Sequence, residues 1–172
     1  TSGNRILLRF FGGFNLDDID LNSSNLISKL YNRSTPMGGN IMSSNNSIPN
    51  FIVWAKKGIN GAHLQRIQIV KGWIDDRSAE PFEKVYDVVC SDGQTVDQVT
   101  QRCPDNGARV NINDCSISAD VGDEELKTFW SDPDFDPKLK AFYYVRVIEN
   151  PTCRWSTWDA LRAGTNPRKD LK

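Results

Sequence analysis

The run Leu64-Gln65-Arg66-Ile67-Gln68-Ile69-Val70-Lys71-Gly72-Trp73-Ile74 decides the fold class. Ile67, Ile69 and Trp73 fall on one side of an extended chain, and Arg66, Gln68 and Val70 on the other. This is the period of two expected of a strand with one face on a core. Asp75-Asp76 ends it. The same alternation recurs on both sides of this run. In Arg5 to Phe14, Ile6, Leu8 and Phe10 share a face opposite Leu7, Arg9 and Phe11, and Gly12-Gly13 is expected to break or bulge the strand. Phe51-Ile52-Val53-Trp54-Ala55 reads as a compact apolar strand ended by Lys56-Lys57-Gly58. Glu83 to Cys90 sets Val85 and Val89 against Tyr86, Val88 and Cys90. Ala141 to Glu149 sets Phe142, Tyr144 and Ile148 against Tyr143, Val145 and Val147, and stops at Asn150-Pro151.

Helical spacing is confined to short pieces. Leu26, Ile27, Leu30 and Tyr31 repeat at helical intervals, with Ser24 as an expected cap and Pro36-Met37-Gly38-Gly39 as a turn beyond. Asp123, Glu124 and Glu125 suit the positive end of a helix, so Leu126, Phe129 and Trp130 are expected on the apolar face of a second one. Ser156 is the expected cap of a last turn carrying Trp158 and Leu161 and closed by Gly164. Five or six strands parted by turns, without long crossover helices, predict a mainly β chain. The expected architecture is an antiparallel, immunoglobulin-like β-sandwich with a few short helices. The length of 172 residues fits one domain spanning 1–172. Residues 15–50 form a polar, Asn/Ser-rich insertion, 91–121 an irregular loop, and 165–172 a frayed tail.

A structureless loop of that size needs a staple. Four cysteines are present: Cys90, Cys103, Cys115 and Cys153. Their even number and the absence of any C-x-x-C pair favour disulfides over metal ligation, and His63 is the sole histidine. Three pairings are open. The sequons at Asn22, Asn32 and Asn45 add an expectation of glycans and of an extracellular or periplasmic location. The strand pattern starts directly after Thr1-Ser2-Gly3, so any targeting segment is expected upstream, in a longer precursor. The formal net charge of −1 gives no electrostatic reason to expect nucleic acid or an anionic membrane as partner. No apolar run reaches the ~20 residues of a membrane helix.

The sequence carries no G-x-S-x-G, no G-x-x-x-x-G-K-[ST] and no H-E-x-x-H. His63, in Asn60-Gly61-Ala62-His63, is expected to be a solvated turn residue, because no nucleophile accompanies it. Asp132, Asp134 and Asp136 stand at i, i+2 and i+4, a calcium-loop spacing. The prolines between them, and the missing Gly and terminal Glu, favour an Asp-Pro turn. Trp54, Trp73 and Trp130 are expected in the core, and Trp155 and Trp158 at the surface, where exposed rings stack on sugars. No catalytic centre and no cofactor are expected.

Several stretches resemble the C-terminal region of the bacterial domain of unknown function 3604 family. They run from Thr1-Ser2-Gly3 to Arg9-Phe10-Phe11-Gly12-Gly13, then Pro36-Met37-Gly38-Gly39, Leu64 to Trp73 and Glu83 to Val88. They continue through Trp130-Ser131-Asp132-Pro133-Asp134-Phe135-Asp136-Pro137, Ala141 to Val147 and Arg154-Trp155-Ser156-Thr157. The resemblance implies a β-rich module that follows a metal-dependent hydrolase-like part in a longer secreted parent. It also implies a further aromatic-rich strand beyond Lys172. No His/Asp ligand motif of that hydrolase has a counterpart here, so its activity is not carried over. A sandwich short of its last strand invites strand addition. Arg5, Ile6, Leu7, Leu8, Arg9, Phe10 and Phe11 are the expected exchange segment. The expected partner is a second copy, giving a homo-oligomer or filament, or else the upstream domain of the parent.

Overall fold

The computed structural model describes residues 5–42, 47–74 and 80–166. The alternating runs form antiparallel strands: β1 (Leu7–Gly13), β2 (Thr35–Pro36), β3 (Asn50–Lys56), β4 (Leu64–Ile74), β5 (Pro81–Cys90), β6 (Glu125–Ser131) and β7 (Ala141–Glu149). Two helices accompany them, α1 (Leu26–Arg33) and α2 (Trp155–Arg162). One sheet has the order β2-β1-β3-β6 and the other β5-β4-β7. They face each other as an antiparallel β-sandwich.

Strand register explains the core. Phe51 stands between Gly12 and Trp130, Val53 between Phe10 and Thr128, and Ala55 between Leu8 and Leu126. These layers meet Ile67 and Ile69 of β4 and Tyr143, Val145 and Val147 of β7. Gly12 has a steric role here: a Cβ would lie 3.1 Å from the Phe51 ring. The other face of the first sheet is also covered. Phe11 and Ile52 pack with Leu16, Ile19, Leu26 and Leu30, so the segment expected as a polar insertion supplies a second core around α1.

Several expectations are corrected. Glu125–Ser131 is a strand, not a helix, and pairs with β3 at seven positions from Asn50↔Ser131 to Lys56↔Glu125. Leu126 and Trp130 point to the main core, while Phe129 faces the second one, so both faces are apolar and imitate helical spacing. Gly12-Gly13 neither breaks nor bulges β1, because both stay paired with β3. A bulge falls instead between Ile67 and Gln68. It turns both Val88 and Val89 onto the core and cancels their expected separation. Neither helix has a side-chain cap. Asn25 and Arg154 occupy the cap positions, not Ser24 and Ser156. Asp75-Asp76, and the tail beyond Asn166, lie outside the described residues. Thr165 is tied back to α2 through its N–H on the Ala160 carbonyl at 2.9 Å.

Candidate interaction site

The two long sides of the sandwich differ. On one side β5 lies over β6, with the rings of Tyr86 and Trp130 5.1 Å apart. The disulfide Cys90–Cys103 folds the following loop back onto β5. The Asp87 N–H then donates to the Gln101 carbonyl at 3.1 Å, which covers that strand edge. Asp87 itself is buried, and its carboxylate accepts from Gln68 Nε2 at 2.6 Å and from the Cys103 N–H at 2.7 Å. The second disulfide, Cys115–Cys153, anchors the segment before α2, a helix with no buried residue of its own.

Among the described residues the opposite side is open: β7 pairs with β4 alone, and the strand on the outer edge of β1 is the two-residue β2, at Phe11↔Pro36 and Gly12↔Thr35. The Met37 N–H donates to the Phe10 carbonyl, so Phe10 directs its backbone groups away from β3. By the alternation of antiparallel pairing, Leu8 does the same, and no described strand lies opposite it. Between these edges runs a cleft of about 300 Å³, lined by Phe10, Met37, Ile41, Phe51, Phe142 and Tyr143 among others. Phe142 stays 61% exposed at its mouth and lies over Gly72, where a Cβ would come within 2.2 Å of the ring.

Behind the cleft lies a polar cluster. Lys71 continues the core-facing phase of Ile67 and Ile69, so β4 carries its ammonium inward. Its Nζ donates to Asp132 Oδ2 at 2.6 Å and to the Asp134 carbonyl at 2.7 Å. The Tyr143 hydroxyl donates to Asp132 Oδ2 at 2.7 Å, and the Asp134 N–H to Asp132 Oδ1 at 2.9 Å. The Tyr86 hydroxyl and Lys84 both donate to Asp134 Oδ2. Burial first, and then the hydrogen bond to a carboxylate, pushes the Tyr86 and Tyr143 hydroxyls far above the usual phenol range. The hydrogen bond from Lys84, followed by that from Tyr86, holds the Asp134 carboxyl below the usual carboxylate range.

The sequence-derived site residues are thus dispersed. All four cysteines are in disulfides. Asn22 and Asn32 are exposed, and Asn45 lies outside the described residues. Asp132 and Asp134 face lysines and tyrosines, and Asp136 accepts from the Lys138 N–H at 2.9 Å. Among the described residues no cluster of His, Cys, Asp or Glu is arranged to hold a metal ion. His63 is half-buried rather than solvated, with Nδ1 3.2 Å from the Val121 carbonyl oxygen. Of the segment Arg5 to Phe11, Leu7 to Phe11 pair with β3, and Phe10 and Phe11 are buried. Trp54 lies under Lys127 on the outer face of the first sheet, 5.7 Å from ammonium to ring. Trp155 is 62% exposed and Trp158 37%. Lys71, Lys84, Tyr86 and Tyr143 join Asp132 and Asp134 in a polar network that no sequence motif announces. The available signal was a lysine in phase with core isoleucines.

No helix among the described residues is long and apolar enough to cross a membrane. Comparisons with curated proteins and with solved structures gave no match. The family model described as Protein of unknown function (DUF3604) matches residues 1–172, and the chain belongs to that family.

Proposed function

We propose that this chain is a non-catalytic extracellular or periplasmic module that associates with further copies of itself by strand addition, building a filament. The observation that carries the reading is a pair of edges that no strand covers among the described residues, Leu8 on β1 and the outer side of β7, flanking a cleft lined by Phe10, Met37, Ile41 and Phe142. Unpaired edges with exposed apolar neighbours such as Leu7 and Phe142 template further strands. In this arrangement β1 receives a strand rather than swinging out, because detaching it would uncover Phe10 and Phe11. A head-to-tail contact that does not close on itself propagates. The two disulfides and the exposed Asn22 and Asn32 suit an oxidising, glycosylating compartment. Negative-stain electron microscopy of the purified chain over rising concentration tests this. Elongated assemblies are expected; discrete monomers throughout would overturn it.

A second reading rests on Trp155 and Trp158, whose exposure suits stacking on sugar rings and hence a carbohydrate-binding module. Quenching of tryptophan fluorescence by soluble polysaccharide, lost in Trp155→Ala, would favour it.

A further inference from the structure

We propose that Lys71 and Asp132 condense into an intramolecular isopeptide bond that ties one sheet to the other. Lys71 belongs to β4 of one sheet, and Asp132 directly follows β6 of the other. Their side chains are 4% and 0% exposed, with Nζ and Oδ2 2.6 Å apart. This contact is held from several sides. The Asp134 carbonyl accepts from Nζ at 2.7 Å and fixes the nitrogen. The Asp134 N–H donates to Asp132 Oδ1 at 2.9 Å, where an oxyanion would form on attack at Cγ. The Tyr143 hydroxyl, 2.7 Å from Oδ2, sits where a departing oxygen needs a proton.

The step balances without a further reactant. One proton passes along the hydrogen bond from Nζ to Oδ2, leaving an amine beside a carboxylic acid. Nζ attacks Cγ, the Cγ–Oδ2 bond breaks, and Oδ2 leaves as water with two of the three ammonium protons, the second relayed through the Tyr143 hydroxyl, which gives its own proton to Oδ2 and regains one from Nζ. The third remains on the amide nitrogen. Proximity replaces the activation that a bimolecular amide synthesis needs. Nζ also lies 5.5 Å from the centroid of the Trp73 ring. The burial of both reacting groups keeps water from them and shifts the condensation towards product. Burial also favours a neutral amide over two buried charges.

Mass spectrometry of the native chain, reduced and freed of any glycans, tests this directly. The expected mass is that of the sequence less one water. A tryptic digest is expected to give residues 67–77 joined to residues 128–138, with no cleavage after Lys71. The full mass, with separate peptides, in protein that has folded would overturn the proposal. Lys71→Met is expected to restore the mass predicted for its own sequence. A water still missing from that variant would place the link elsewhere and equally overturn the assignment. In refolding wild-type protein the linked peptide should accumulate with time, and Tyr143→Phe should slow it by roughly 100-fold. An unchanged rate would overturn the proposed step, in which the Tyr143 hydroxyl relays a proton to Oδ2.

Discussion

At the scale of single residues, the charges inside this sandwich are each met by a partner. Asp87 holds Gln68, the Cys103 N–H and two arginines, Arg102 at 3.4 Å and Arg66 at 3.7 Å. Asp87→Ala leaves those donors facing an apolar hole and should cost about 3–5 kcal/mol in urea unfolding. A loss below ~1 kcal/mol would mean that the donors find water instead. Tyr86 and Tyr143 give a pH prediction. Their folded-state values are raised, so the folded state keeps protons that the unfolded chain loses near pH 10. Their contribution is therefore complete below pH ~10 and fades as pH rises beyond it. Spectrophotometric titration should show two of the four tyrosines ionising only as the protein unfolds. Four ordinary phenols would contradict the cluster. Part of this was legible: Lys71 stands in phase with Ile67 and Ile69. What it would meet was not, because Asp132 arrives from the other sheet, a relation that alternation within one strand does not encode.

At the scale of elements, the strands that were legible are short apolar runs bounded by turn residues, too short and too rich in β-branched and aromatic residues for helices. β6 did not stand out because α1 and its flanking loop cover the back of the first sheet, giving Phe129 a second core to fill. The presence of disulfides could be read from the cysteine count, but their pairing could not: it depends on which loop ends meet in space. The loops they close differ, at separations of 13 and 38 residues. On chain entropy alone the closures correspond to roughly 3 and 4 kcal/mol. Yet α2 buries no residue, so Cys115–Cys153 is its principal tether. Replacing both of these cysteines with serine should raise amide hydrogen exchange across Trp155–Arg162 and the 104–121 loop, with β3 and β4 unchanged. Equal loosening of the sheets would show that the bridge supports the whole core rather than its periphery.

At the scale of the whole molecule, the sandwich is lopsided. Its β5/β6 side is closed by a disulfide loop and an aromatic contact, while among the described residues its β1/β7 side ends in unpaired strand edges beside a cleft. Natural sheets blunt such edges with charges, bulges or covering loops; among the described residues, β2 and the Met37 N–H cover Phe10, Phe11 and Gly12 of β1. The strand order shows which strands stand at the sheet edges among the described residues, a relation that no residue pattern alone encodes. The central claim is that this edge receives a strand from another copy. Leu8→Pro removes an outward N–H while leaving the inward bonds of Leu7 and Arg9 to β3 intact. Sedimentation velocity of wild type and this variant, over the same concentration series, is the most direct test. The account predicts large, concentration-dependent species for the wild type and a folded monomer for the variant; a wild type that sediments as a monomer at every concentration would contradict it.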